Sequence, residues 1–414
     1  MREKASRKFS TTPGTRDVLP PESTRLLDVQ ARVLERFRLH GFREVVTPAL
    51  EYSEVIEEPK LRDSAFKLFD PDNQMLLLRP EVTTPVARVV AQRLRNVPPP
   101  HKLSYSLPVY RRTGVGRGQS AEFRQAGVEA VGSANPAEDA GAIALLVDVL
   151  RTLGLHPGTD CVLVLGQAAF YRGYLNSVAP GVAADVLAAL ADKDLVRVDE
   201  ISSSLRPDIA ASVREIPRLV GPAADGSALE RAETYAGKSG EAAAALGNLR
   251  QILDHLAAVD CLDGVMLDFG LIGRHDYYTG AVYEVYASGL GFTVANGGRY
   301  DNLLKRFGEP LPATGFAISL ERLVSVLPDS QPPPLLILVG ASVEATRTAG
   351  GLRASGVAVL HLAEDLTRAG ATDYARSVEA GWVGYPAPGG VKLISVAGGE
   401  AEVVPLRDVA GKVL

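Results

Sequence analysis

A chain of 414 residues is too long for one ordinary hydrophobic core, so two or three domains are expected. Its 46% hydrophobic and 22% charged content fits a folded soluble protein, and a net charge of −5 excludes a general attraction to nucleic acid. No stretch approaches the ~18 uninterrupted apolar residues of a membrane span, and no apolar core follows the basic start MREKASRKFSTTPG, so a cytoplasmic protein without a membrane partner is expected.

Residues 1–13 read as a mobile N-terminal arm. The segment 21–42 follows as an amphipathic helix, with Leu26, Val29, Val33, Leu34 and Phe37 on one face and Gly41 at its end. REVVTPAL (43–50) looks like a strand broken at Pro48. QMLLLRP (74–80) is an apolar strand, with a helix after it from about Thr83 to Arg95. LSYSLPVYRR and AEFRQAGVEAVG flank the glycine-rich TGVGRGQS, which predicts a long hairpin. A helix over 136–153 leads to the strand CVLVLG (161–166). From about 175 to 258 the chain is alanine-rich and helical with no strand signal, an insertion that ends where VMLDFGLI (265–272) resumes strand-type sequence. FTVANGGRYD and ATGFAISLERLVSVL continue the strand-rich part to 327. PDSQPPPL (328–335) is a linker, because consecutive prolines continue neither helix nor sheet. Beyond it, LLILVG, VAVLHL and VKLISV alternate with helical segments, which predicts a small α/β domain over 336–414 with a largely parallel sheet. Cys161 and Cys261 read as two buried thiols, and no metal site or cofactor is expected.

Four segments carry possible chemistry. GTRDVLPP (14–21) holds Arg16 and Asp17, although a tight loop with a surface ion pair explains them equally. LRPEVTTP (78–85) puts Glu81 and Thr83 at a strand-to-helix junction, where capping alone would account for the threonine. VYRRTGVGRGQSAEFRQAGVE (109–129) places Gln125 and Glu129 on one strand face with Phe123, among Arg111, Arg112, Arg117 and Arg124. Polar groups on a buried face need partners, and a polar ligand would serve. GGRYDNLL (297–304) and ATGFAISLERL (313–323) contribute Arg299 and Arg322.

In this order the segments resemble the core of a class II aminoacyl-tRNA synthetase of the histidyl type. GFREVVTPALEY is similar to motif 1, VYRR…EFRQAGVE to motif 2 and ATGFAISLERL to motif 3. HDYYTG resembles the signature that holds histidine. The resemblance implies an α+β fold with an antiparallel sheet flanked by helices, a dimeric core, and a reduced anticodon-binding domain at the C-terminus. It implies that Glu81 and Thr83 meet the α-amino group of histidine. Gln125, Glu129, Tyr277 and Tyr278 would line the rest of the pocket, and Arg111 and Arg322 would clamp ATP phosphates.

Departures from that pattern point elsewhere. Histidyl synthetases carry an arginine three residues before the signature aspartate, and here that position is Gly273. Losing one such charge donor typically costs on the order of 10²–10³-fold in rate. Arg274 would point to the opposite face of a regular strand, although a loop would free it to turn. Thr113 stands where motif 2 has an acidic residue. Residues 333–414 hold seven Lys/Arg against eight Asp/Glu, a poor match for RNA. PVARVVAQRLRNVPPPHKLSY and AEFRQAGVEAVG are similar to the regulatory subunits of ATP phosphoribosyltransferase. That resemblance implies a non-catalytic protein acting in the first step of histidine biosynthesis. It would assemble with a short catalytic subunit as a homodimeric core within a hetero-oligomer, and mediate feedback inhibition by histidine without binding tRNA. An active histidyl-tRNA synthetase is the alternative, and a ligase acting on another acceptor a third.

Overall fold

A computed structural model of the chain describes residues 10–112, 120–273, 277–328 and 334–414. They form two compact units, the larger holding 10–18 and 26–328, the smaller 19–25 and 334–414. The glycine-rich loop with Thr113 and Arg117, the Arg274–Asp276 segment, residues 1–9 of the N-terminal arm and 329–333 of the linker lie outside the described residues. Residues 12–15 close a tight turn, with Thr15 N donating to Thr12 O at 3.1 Å.

The larger unit is organised by a nine-stranded sheet. Across it run Arg43–Glu44, His101–Tyr110, Glu122–Val131, Ala313–Ser319, Ala295–Arg299, Ala281–Ala287, Cys161–Gln167, Val265–Asp268 and Val220–Pro222. The central pairings are antiparallel, and the parallel ones lie toward the edges. The two long hairpin strands are buried on both faces along most of their length. Pro108 is tolerated because the outer Arg43–Glu44 strand reaches only to Ser104.

One face of this sheet is sealed by helices. Val29, Val33 and Phe37 of the Glu22–Leu39 helix are buried there, with Ile143, Leu146 and Leu150 of the Pro136–Thr152 helix. The first helix ends at Gly41, whose φ of 81° lets Phe42 N return to Phe37 O at 3.0 Å. Asn135 caps the second by accepting from Ala137 N at 2.9 Å.

The alanine-rich stretch is helical but is not continuous. Helices cover Ala168–Val178, Ala183–Ala191, Leu195–Ser202, Pro207–Glu215, Ser227–Ala236 and Gly240–Ala257. The reading of 175–258 as free of strands is corrected by Val220–Pro222, which pairs antiparallel with Val265–Asp268 at the sheet edge. Three residues carry too little periodicity to show in sequence.

The smaller unit contains a five-stranded sheet in the order Ala358–Leu362, Leu335–Val339, Trp382–Ala387, Gly390–Ser395, Glu402–Val404. Its first three strands are parallel, but the last three run antiparallel, so the expectation of a largely parallel sheet holds for half of it. WVGYPA was overlooked as a strand because Gly384 and Pro386 break its apolar pattern. Helices Val343–Ala354 and Arg368–Ser377 pack against the parallel half.

Arg299 of the GGRYD segment anchors the larger unit. Its guanidinium meets Asp139 of the Pro136–Thr152 helix at 2.8 and 2.9 Å, with the two side chains 5% and 0% exposed. Replacing Asp139 with alanine leaves the buried cation only the partly exposed Asp301 carboxylate, at 3.1 Å, and a loss of about 3 kcal/mol is expected in urea unfolding. The double replacement Asp139→Leu with Arg299→Met should lose markedly less. Equal losses in the two variants would mean that charge pairing is not what the site requires.

Candidate functional site

The sheet face opposite the helices carries the site, and strand register builds its floor. Tyr105, Gly127, Ala317, Asn296, Glu284 and Val164 are successive cross-strand partners in one row. The adjacent row runs Leu103, Glu129, Gly315, Gly298, Val282 and Gly166. Glycine and alanine in the middle of both rows leave a hollow over the backbone. A Cβ at Gly315 would collide with the Glu129 carboxylate, so that glycine is what gives Glu129 its space.

The hollow is a cavity of about 350 Å³, and all eight candidate residues line it: Glu81, Thr83, Gln125, Glu129, Tyr277, Tyr278, Arg111 and Arg322. They arrive from four places in the chain. Glu81 and Thr83 come from the start of the Thr83–Arg93 helix, where both Glu81 oxygens accept Thr84 N at 3.1 Å. Arg111 follows the first hairpin strand; its Nε donates to Pro80 O at 2.7 Å and its guanidinium lies 5.4 Å over the Phe123 ring. Arg322, on the Leu320–Val326 helix, donates to Thr293 O at 2.9 Å and covers the Phe292 ring at 5.0 Å. Tyr277 packs against Tyr278 at 4.9 Å and edge-on to Tyr300 at 5.8 Å.

Four other sequence-selected residues sit elsewhere. Arg299 is taken up by the Asp139 pair, Arg16 and Asp17 are exposed, and the backbone N of Arg124 donates to Glu321 at 2.9 and 3.0 Å. Sequence reasoning missed Tyr105, Tyr300, Asn296 and Glu284. The hairpin register would have revealed Tyr105, which faces Gly127 two residues from Glu129. Tyr300 adjoins Arg299, the residue that drew attention instead.

Glu129 is strongly perturbed. Burial pushes its carboxyl up to about 8, against the pull of hydrogen bonds from Tyr300, Thr83 and Tyr105. Burial likewise raises the phenols of Tyr277 and Tyr300 well above their usual value, so both remain protonated donors. Gln125 Oε1 is buried without a hydrogen-bond partner, an acceptor suited to a donor on a ligand. Arg111 and Arg322 interact on the cavity wall, and Arg111 is also within electrostatic reach of the Glu81 carboxylate, so the hollow carries both signs of charge. Such a bipolar hollow suits a small zwitterion. Among the described residues, no three His, Cys, Asp or Glu side chains form a metal-ligand group.

The family model described as histidyl-tRNA synthetase matches residues 14–323. The ATP phosphoribosyltransferase regulatory subunit of Rubrobacter xylanophilus is 71% identical over 414 residues, the full length of both chains. The chain belongs to the family of ATP phosphoribosyltransferase regulatory subunits. This is a family of regulatory, not catalytic, subunits. A solved structure from Bacillus halodurans C, described as an ATP phosphoribosyltransferase regulatory subunit/histidyl-tRNA synthetase, superposes with a TM-score of 0.79. It is 31% identical, covering 91% of this chain and 98% of that one. Histidyl-tRNA synthetase from Nostoc sp. PCC 7120 gives a TM-score of 0.83 at 20% identity, with 98% of each chain covered, a likeness of fold alone. The regulatory-subunit family thus has the class II synthetase fold, here with the antiparallel sheet and flanking helices described above.

The Glu129 carboxyl ties stability to pH. In the unfolded chain it ionises near 4.5, and in the folded chain near 8. Its neutral form therefore favours folding fully below about pH 4.5, and that contribution drains away as pH rises toward about 8. Glu129→Gln should flatten the fall in urea-unfolding free energy across this window. Parallel wild-type and variant curves would show that Glu129 ionises as an ordinary carboxylate.

Proposed function

We propose that the chain activates a short catalytic subunit of ATP phosphoribosyltransferase and carries the histidine feedback signal for that first step of histidine biosynthesis, in the cytoplasm. Histidine would occupy the 350 Å³ cavity. Its α-ammonium would pair with Glu81 and Thr83, and the rest of the molecule would lie against Gln125, Glu129, Tyr277 and Tyr278. Arg111 and Arg322 offer guanidinium forks to an anionic group, a ligand carboxylate or a nucleotide phosphate.

One observation carries this reading: Gly273 lines the cavity at the position where the synthetase resemblance expects an arginine. Its φ is +85°, a left-handed conformation that suits glycine, and a Cβ there would run into the Tyr278 ring. The place of the reactive cation is occupied by an aromatic wall. A ligand held there is bound without being activated.

The partner side of the proposal has its own support. In the three-stranded sheet of Leu50–Tyr52, Met75–Leu78 and Lys67–Phe69, register puts Leu50, Tyr52, Leu68, Leu76 and Leu78 on one face. Leu50, Tyr52 and Leu68 are exposed. Such a face supports a homodimeric core within the hetero-oligomer. The balance of seven basic and eight acidic residues over 333–414 argues against a tRNA partner.

Calorimetry on the full chain should detect L-histidine binding with a Kd of millimolar or below, and Glu81→Ala should weaken it about tenfold or more. The same preparation should show no histidine-dependent pyrophosphate exchange, and should co-elute with the short catalytic subunit in gel filtration. Robust exchange would favour an active synthetase, whereas absence of histidine heat would remove the feedback site from this cavity.

A further inference from the structure

The wall formed by Gly273 and Glu284 has a second cavity behind it. This one, about 300 Å³, is lined by Leu190, Lys193, Leu195, Asp268 and Tyr286, with Gly273 and Glu284 again contributing. Glu284 is thus a carboxylate shared by two cavities. Its side chain is 5% exposed, and such a group needs a cation or donors.

Both come from the far side. Lys193 Nζ lies 3.4 Å from Glu284 and donates to Tyr286 Oη at 2.8 Å, and Tyr286 in turn donates to Glu284. On the near side, Asn296 is the direct cross-strand partner of Glu284 and hydrogen-bonds Tyr278, one of the candidate ligand residues. Tyr278 with Asn296, and Glu284 with Tyr286 and Lys193, are thus two polar groups set side by side by the Asn296–Glu284 register pair.

The second of these groups ends at a turn under constraint. Lys193 separates helix Ala183–Ala191 from helix Leu195–Ser202 and has a φ of 59°, a conformation in which glycine is the usual occupant. A lysine held there has its head group anchored on the sheet. The neighbouring Lys60–Asp192 pair, at 2.8 Å, is exposed on both sides and restrains the turn only weakly. Asp268, on the wall of the same second cavity, accepts Gly270 N at 2.8 Å and gives the ammonium a second carboxylate to move toward.

We propose that Glu284 couples the first cavity to the turn at Lys193, so that the protonated imidazole of a histidine whose α-ammonium Glu81 holds draws Glu284 away from Lys193 and loosens residues 189–198. The inference rests on the histidine reading of the first cavity and adds the element that responds to it. Lys193 is half in solvent, with its side chain 54% exposed, whereas a ligand cation meets Glu284 from the buried side. The buried contact is screened less and wins the competition. By linkage, whatever weakens the Lys193 contact must strengthen ligand binding.

Hydrogen–deuterium exchange on the full chain, with and without saturating L-histidine, tests this alongside calorimetry. In the wild type, histidine should speed amide exchange across 189–198. In Lys193→Met, whose altered group is half exposed and outside the first cavity, exchange there should already be fast and histidine should add nothing. That variant should also bind histidine about two- to fivefold more tightly, the amount set by one partly exposed ion pair. Histidine binding with unchanged exchange over 189–198 would overturn the coupling, as would a Met variant that still responds. No histidine binding by the wild type would overturn the histidine reading and this inference with it, and calorimetry separates that case from the others.

Discussion

Burial of one carboxyl group in the middle of a β-sheet shapes everything around it. Glu129 is 1% exposed, and a charged carboxylate at such depth costs several kcal/mol unless it is paired or neutralised. The fold neutralises it and surrounds it with hydroxyls. Those hydroxyls come from three separate elements: Tyr105 on the neighbouring strand, Tyr300 after the Ala295–Arg299 strand, and Thr83 at a helix start. Satisfying one side chain therefore fixes the mutual position of three segments. Gly315 in the same register row is the counterpart, since a side chain there would run into the Glu129 carboxylate.

Two buried arginines do for the frame what these hydroxyls do for the site. Arg79 is 2% exposed and donates to carbonyls of Thr47, Pro48 and Pro108 at 2.7, 3.1 and 2.8 Å. It joins the apolar three-stranded sheet to the first long hairpin strand. The next carbonyl along, Pro80 O, receives Arg111 Nε, and the next side chain is Glu81. The LRPE segment thus ties Arg111 beside Glu81, two residues of opposite charge on the cavity wall. Arg299 plays the corresponding part on the opposite flank through Asp139.

Much of this could be read from residues alone, for reasons that differ by element. Period-two alternation in EFRQAGVE put Phe123, Gln125 and Glu129 on one face, and the structure has all three on the cavity wall. Alternation survives in a sheet because register moves side chains between faces in whole units. What remained hidden depends on which strand lies beside which. Asn296 and Glu284 become partners only through the pairing of Ala281–Ala287 with Ala295–Arg299. Arg299 shows the opposite error, since its motif drew attention but its partner, Asp139, lies 160 residues away. The helical insertion was legible in composition. Its breaks at Lys193 and Ser239 were not: a left-handed lysine is decided by tertiary contacts, and the serine cap is one local bond from Ala242 N inside an alanine-rich run.

At Gly273 the departure from the synthetase pattern is a matter of backbone as well as of side chain. Restoring a side chain at Gly273 would place a Cβ at φ +85°, a strain of roughly 1–2 kcal/mol. It would also displace Tyr278, whose ring occupies the same space and whose hydroxyl is tied to Asn296. Moving Tyr278 disturbs Asn296, and through it the register partner Glu284 and the Lys193 turn. Tyr278, on the cavity wall, is therefore packed against the position where the synthetase pattern has an arginine. An arginine at 273 would be opposed by the contacts that shape this wall of the cavity.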